Sequence, residues 1–252
     1  MERASAVLEP PRVRAFVVTA ACVLAWFLTM PHVGRVGLWT AIVLVSVLVI
    51  PGTLLLVYIA LPLYDRRWML AAVVVLALVA LVCSLAGFGL AANFAKLGAA
   101  VCAGWAFLVF FERLSWVITV SLIIPVVDAI SVWRGPTHTI TQHHFQVYTD
   151  VAIAFLVPGG GAAYLGPPDI LFYALFLAAA SRWRLRVGWT WISMTGMYGL
   201  TVIVAQAANV DGLPALPFLS FGFLAPNADL IWRAMRSGDS PAVSSGGGPA
   251  PS

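Results

Sequence analysis

Asp128 in SLIIPVVDAISVW and Asp169 in LGPPDILFYALFLAAA each stand inside a long apolar run. A carboxylate in hydrocarbon costs on the order of several kcal/mol, so an intramembrane acid marks a functional site by default. Two carboxylates within hydrogen-bond reach cannot both ionise cheaply, and sharing one proton splits their titration. One can then act as general base on a water while the other protonates or polarises a peptide carbonyl, the division of labour of an aspartic protease. The same residues also have plainer readings. A lone intramembrane Asp can serve helix packing or an ion pathway, and Asp169 just inside a helix start offsets the helix dipole, with Pro168 suited to the first turn. The residue pattern alone leaves the dyad and a transport or structural role equally open.

The elements that must position these acids follow from composition. The chain has 252 residues, 62% hydrophobic and 10% charged, far from the ~25% charged share of soluble domains, and so reads as an integral membrane protein. The predicted fold is an all-α polytopic membrane protein with about eight spanning helices, at 14–31, 37–62, 68–91, 95–111, 114–133, 167–183, 187–209 and 214–233. These form one transmembrane domain over 1–236, and the Gly/Ser/Pro-rich tail 237–252 is expected to be disordered. Glu112-Arg113 demands a break, because one helix over 95–133 would be about 58 Å long. Pro51-Gly52 is expected to kink the second helix. Cys22, Cys83 and Cys102 lie in apolar runs without metal-ligand spacing and read as buried thiols.

Charge orients the chain. With eight spans, eleven of the fourteen basic residues fall on one side and Arg35, Lys96 and Arg134 on the other. The eleven-residue side is then cytoplasmic, with both termini. Segment 134–166 lies outside. Within it, Phe145 to Val157 is too short to span, and VAIAFLV suits a short strand or a re-entrant segment lying against protein. Pro158-Gly159-Gly160-Gly161 after it is expected to be mobile. Asp128 lies five residues before Trp133, about 8 Å below the outer end of its helix. Asp169 lies in the first turn of a helix running back inward, and the helix from Pro214 starts at the same face. Three features thus converge at one depth.

Leu165-Gly166-Pro167-Pro168-Asp169-Ile170-Leu171-Phe172-Tyr173 resembles the Gly-x-Gly-Asp motif and following Phe-Tyr of presenilins and signal peptide peptidases. Leu213-Pro214-Ala215-Leu216-Pro217 is similar to their Pro-Ala-Leu motif, and Ile123-Ile124-Pro125-Val126-Val127-Asp128, followed by Gly135-Pro136, looks like the helix of their first catalytic aspartate. The motifs keep the family's order across residues 112–232. The resemblance, to a bacterial or archaeal-type member, implies a presenilin-like bundle in a prokaryotic plasma membrane and an intramembrane aspartyl protease. Asp128 and Asp169 would be catalytic, and Gly166, Pro167, Pro168, Pro214, Ala215 and Leu216 would bind substrate. No cofactor or metal is implied. The partners would be a transmembrane peptide or membrane-protein substrate and the bilayer, with the chain near 147–166 pairing with extended substrate. Two positions depart from the family pattern. Val127 stands where a Tyr is usual, and Pro168 where a Gly is usual. The expected span count is eight against the family's nine.

Other chemistry has less support. His138, His143 and His144 share the outer loop, where a polar loop is the plainer reading than a metal site. There is no His-Glu-x-x-His and no Gly-x-Ser-x-Gly. No basic cluster interleaves with aromatics, which excludes a nucleic-acid surface. Gln206, Asn209 and Asp211 read as interhelical or interfacial groups, and Asp229 with Arg233 as an i,i+4 salt bridge. The rival functions are an ion- or proton-coupled transporter or channel using the same acids, and an inactive homologue that binds membrane segments.

Overall fold

The structure, a computed structural model, describes residues 10–134, 145–210 and 213–236. It is mostly helical. Helices α1 (Pro10–His32), α2 (Leu38–Leu63), α4 (Gly89–Phe110), α5 (Leu114–Arg134) and α8 (Val187–Ala207) are each long and apolar enough to cross a membrane. α3 (Met69–Leu85) is apolar but shorter. A short α6 (Phe145–Val151) leads to strands β1 (Ile153–Leu156) and β2 (Ala162–Leu165), then α7 (Pro167–Arg182). The last stretch is divided into α9 (Leu216–Leu224) and α10 (Ala228–Arg236). With many apolar residues exposed along these helices, the protein is an integral membrane protein.

Several elements differ from expectation for local reasons. The helix break expected at 92–94 falls at Ala86–Phe88, where Gly87 adopts φ 79° and ends α3 in the left-handed cap that glycine favours. In α2, a π-helical turn over Val45–Val49 precedes Pro51, and such a turn re-routes the ladder where proline can donate no hydrogen bond. The last expected helix is interrupted as well, by a 3-10 turn over Ala225–Asn227 that contains Pro226. Of the three cysteines, Cys102 is buried, but Cys22 is exposed on α1. The latter faces away from the protein interior rather than into it.

The bundle is built around α7. Residues Tyr173 to Ala180 are completely buried, because α4, α5, α8 and α9 all pack on this one helix. Small residues permit the close approaches. A Cβ on Gly104 of α4 would run into the Leu171 carbonyl of α7, and one on Gly199 of α8 would lie 2.9 Å from the Ser46 carbonyl of α2. Phe176 and Phe223 stack at 4.9 Å between α7 and α9.

The segment before α7 is an antiparallel hairpin, with Ile153 opposite Leu165 and Leu156 opposite Ala162. Its turn, expected from the sequence to be mobile, makes backbone hydrogen bonds at both ends. Val157 N donates to Gly161 O, Gly159 N donates to Met30 O, and Gly159 and Gly160 take the positive φ values that the turn requires. The edge of β1 away from β2 is covered by side chains. Asn93 donates from Nδ2 to Ala154 O at 2.9 Å and accepts from Ala154 N at 2.8 Å, so its amide acts as one more strand rung. Lys96 donates to Asp150 O and Ala152 O, and Trp26 Nε1 to Leu156 O. The backbone groups of β1 thus find partners inside the bundle.

Candidate functional site

Gly166 is the extended residue that opens α7, followed by Pro167 and Pro168 in its first turn. Proline is cheap there, since those N–H groups have no intrahelical acceptor. Pro168 in place of glycine therefore costs the helix no hydrogen bond. Asp169 follows as the third helical residue, and its Oδ2 accepts from Gly166 N at 3.0 Å. The carboxylate is thereby turned back towards the helix start instead of along its flank.

Asp128 reaches the same place from α5. Its Oδ2 accepts from Leu216 N at 3.0 Å, at the first residue of α9, whose amide has no intrahelical partner. The chain before it, Pro214 and Ala215, is buried. The two acids lie within electrostatic reach of one another, each half-buried and each holding one backbone N–H. The expected site residues therefore fall into two neighbouring groups. Asp169 stands with Gly166, Pro167 and Pro168 at the start of α7. Asp128 stands with Pro214, Ala215 and Leu216 at the start of α9.

A cavity of about 460 Å³ opens beside Asp169. Its walls include β2 residues Ala162 and Ala163, Ala215 before α9, and Thr201 and Gln206 of α8. Asp128, Gly166, Pro167, Pro168, Pro214 and Leu216 are not among its wall residues, so Asp169 and Ala215 are the expected site residues that face it. Gln206, read from sequence as an interhelical group, faces this space.

Tyr198 and Tyr148 lie close to Asp169, Tyr173 packs on Tyr198, and of the three only Tyr173 belongs to a motif legible in the sequence. Tyr198 of α8 is fully buried, stacks on Tyr173 at 5.7 Å and donates its hydroxyl to the Asp169 backbone carbonyl at 2.5 Å. Tyr173 shares a 2.9 Å hydrogen bond with Thr195. Tyr148 of α6 shares the cavity wall with Asp169 and lies within electrostatic reach of it. Val127, where the resembled family carries a tyrosine, is 51% exposed on α5. For Tyr148 and Tyr198 the sequence signal was a tyrosine within or beside an apolar run, which packing alone also explains.

The remaining candidates separate. Asp229 lies 3.9 Å from Arg233 as the i,i+4 spacing anticipates, but its closer partner is Arg186, at 2.7 and 2.8 Å in a bidentate pair. Arg186 N also donates to Asn227 Oδ1, so this cluster ties α8 to α10 at the end far from the acids. Among the described residues no group of three or more His, Cys, Asp or Glu side chains could hold a metal ion. His138, His143, His144, Asp211 and the tail 237–252 lie outside the described residues.

No family model matches the chain, and neither a curated protein nor a solved structure matches it.

Proposed function

We propose that the chain is an intramembrane aspartyl endopeptidase of the presenilin and signal peptide peptidase type, cutting transmembrane segments or signal peptides. The observation that carries this reading is the approach of Asp128 on α5 to Asp169 at the start of α7, beside a cavity of about 460 Å³. In the proposed reaction the ionised acid takes a proton from water as the water oxygen bonds to the scissile carbonyl carbon, and the neutral acid donates its proton to the carbonyl oxygen. The resulting tetrahedral carbon then expels the amine, which leaves with a proton returned by the dyad. A helical substrate hides its peptide bonds and must surrender their hydrogen bonds first. The β2 wall of the cavity supports an extended substrate laid beside the hairpin. Ala215, with Pro214 and Leu216, would line the path next to the acids.

In this reading the chain crosses the membrane eight times, with α3, α7 and the α9–α10 pair as the shorter crossings. Both termini are cytoplasmic and the hairpin faces outside. The test is reconstitution of the protein with candidate transmembrane peptides and a search for cuts by mass spectrometry. Cleavage in the native protein that is absent from Asp128→Asn and Asp169→Asn supports the protease. Proton or cation flux that depends on the same acids, with no cleavage, replaces it by a transporter.

A further inference from the structure

At the end of the bundle opposite the acids, a second cavity of about 520 Å³ lies where α1, the end of α2, the end of α7 and the start of α8 meet. Three polar side chains from three different helices line it, Arg12, Tyr58 and Ser181, against Ala15, Pro62 and Val187. Among the described residues, neither the Arg12 guanidinium nor the Tyr58 and Ser181 hydroxyls have a hydrogen-bond partner. Tyr58 is held by its ring, which packs on Trp191 at 5.5 Å, with Trp191 Nε1 donating to Leu54 O. Its hydroxyl is thus fixed in place with its hydrogen-bonding capacity unspent.

A groove of about 230 Å³ shares Arg12, Ile59 and Pro62 with this cavity and continues over Val13, Phe16 and Leu63. That groove is apolar, between α1 and α2, and Val13 and Phe16 are 44% and 40% exposed on its rim. One guanidinium and two hydroxyl donors around one space match the oxygens of a phosphate monoanion or diester. The apolar groove that leaves the same arginine matches an acyl chain. A free phosphate would use the first feature and leave the second without an occupant.

We propose that Arg12, Tyr58 and Ser181 form a binding site for the phosphate of an anionic phospholipid from the leaflet at the arginine-rich end, with one acyl chain in the α1–α2 groove. The site is separate from the acids and does not depend on their function. Its occupant would hold α1, the most peripheral helix, against α2, α7 and α8.

The experiment compares the full-length protein in nanodiscs of phosphatidylcholine alone and of phosphatidylcholine doped with phosphatidylglycerol. Retained lipid is counted by native mass spectrometry and thermal unfolding is followed in parallel. Phosphatidylglycerol is expected to be retained and to raise the unfolding temperature. Arg12→Ala is expected to weaken retention about tenfold, and Tyr58→Phe and Ser181→Ala several-fold each, with no change in charge in the latter two. Arg14→Ala, which removes an equal charge from α1 outside the cavity, is the control. Equal loss from Arg14→Ala and Arg12→Ala, or full retention in both hydroxyl variants, would reduce the effect to surface charge and overturn the site. Stabilisation by inorganic phosphate equal to that by phosphatidylglycerol would overturn the lipid as its occupant. If Arg12→Ala does not fold, the two hydroxyl variants and Arg12→Lys, which keeps charge but loses the guanidinium fork, decide the matter by the same readouts.

Discussion

Asp128 and Asp169 each accept one backbone N–H and lie within electrostatic reach of one another, and under the proposed function they would share one proton and act only together. Asp128→Asn and Asp169→Asn are each expected to lower cleavage by roughly a thousandfold or more, and the double variant to be no worse than either single one, as for residues that act as a unit. Single-turnover cleavage of a reconstituted peptide measures this, with unfolding temperature as the check on folding. A folded single variant that keeps substantial activity rejects the shared dyad. Tyr198 makes a subtler case. Its hydroxyl donates to the Asp169 carbonyl, so Tyr198→Phe should cost about 1 kcal/mol of stability and slow cleavage several-fold without moving the cut site. Full activity in a destabilised Tyr198→Phe protein would confine this phenol to packing. The two acids were legible in the sequence because a charge inside an apolar run is conspicuous in one dimension. Tyr148, Tyr198 and Gln206 were not, since each is unremarkable where it stands and gains its meaning from what α6 and α8 are folded against.

The hairpin shows the same contrast among elements. The β-branched run of β1 suited a strand or a re-entrant segment, whereas Ala162-Ala163-Tyr164-Leu165 carries little strand propensity. β2 exists because β1 offers it one edge while Asn93, Lys96 and Trp26 close the other. Asn93 is 7% exposed, and Asn93→Leu would leave both the N–H and the C=O of Ala154 without these partners. The expected loss is about 2 kcal/mol or more, with faster hydrogen exchange at 153–165 than in α4 itself. Unchanged exchange there would mean the hairpin is held by β1–β2 pairing alone. Where α4 meets α7, hydropathy shows two apolar helices but cannot show which of them touch. Gly104 decides it, because any Cβ at that position already meets the Leu171 carbonyl and Gly104→Val adds two methyl groups to the collision. A loss of about 1–3 kcal/mol is expected from overpacking, read as a lower unfolding temperature in detergent.

Across the whole molecule, the ends of the bundle differ in kind. One gathers the acids, the hairpin, Asn93 and Lys96. The other gathers the Arg186–Asp229 pair, Arg182 donating to Leu108 O, and the cavity at Arg12. Hydropathy and charge made this polarity legible, because eleven of fourteen basic residues fall on one side of an eight-span reading. The pairing of helices around α7 was not legible, since every apolar run looks equally able to be central. Under the positive-inside rule the arginine-rich end is expected to be cytoplasmic. The acids would then lie nearer the outer face, as the resemblance implies for signal peptide peptidases rather than presenilins, and substrates with a scissile region in the outer half of the membrane would be favoured. Cysteine labelling tests the orientation once Cys22, Cys83 and Cys102 are replaced. Ala208, exposed past the end of α8, and Met235, 52% exposed on α10, mark the two ends without disturbing either the acids or the lipid cavity. Ala208→Cys in intact cells is expected to react with an impermeant maleimide, and Met235→Cys only after lysis. The reverse pattern overturns the orientation, and reaction of both from the same side overturns the path of the chain between α8 and α10.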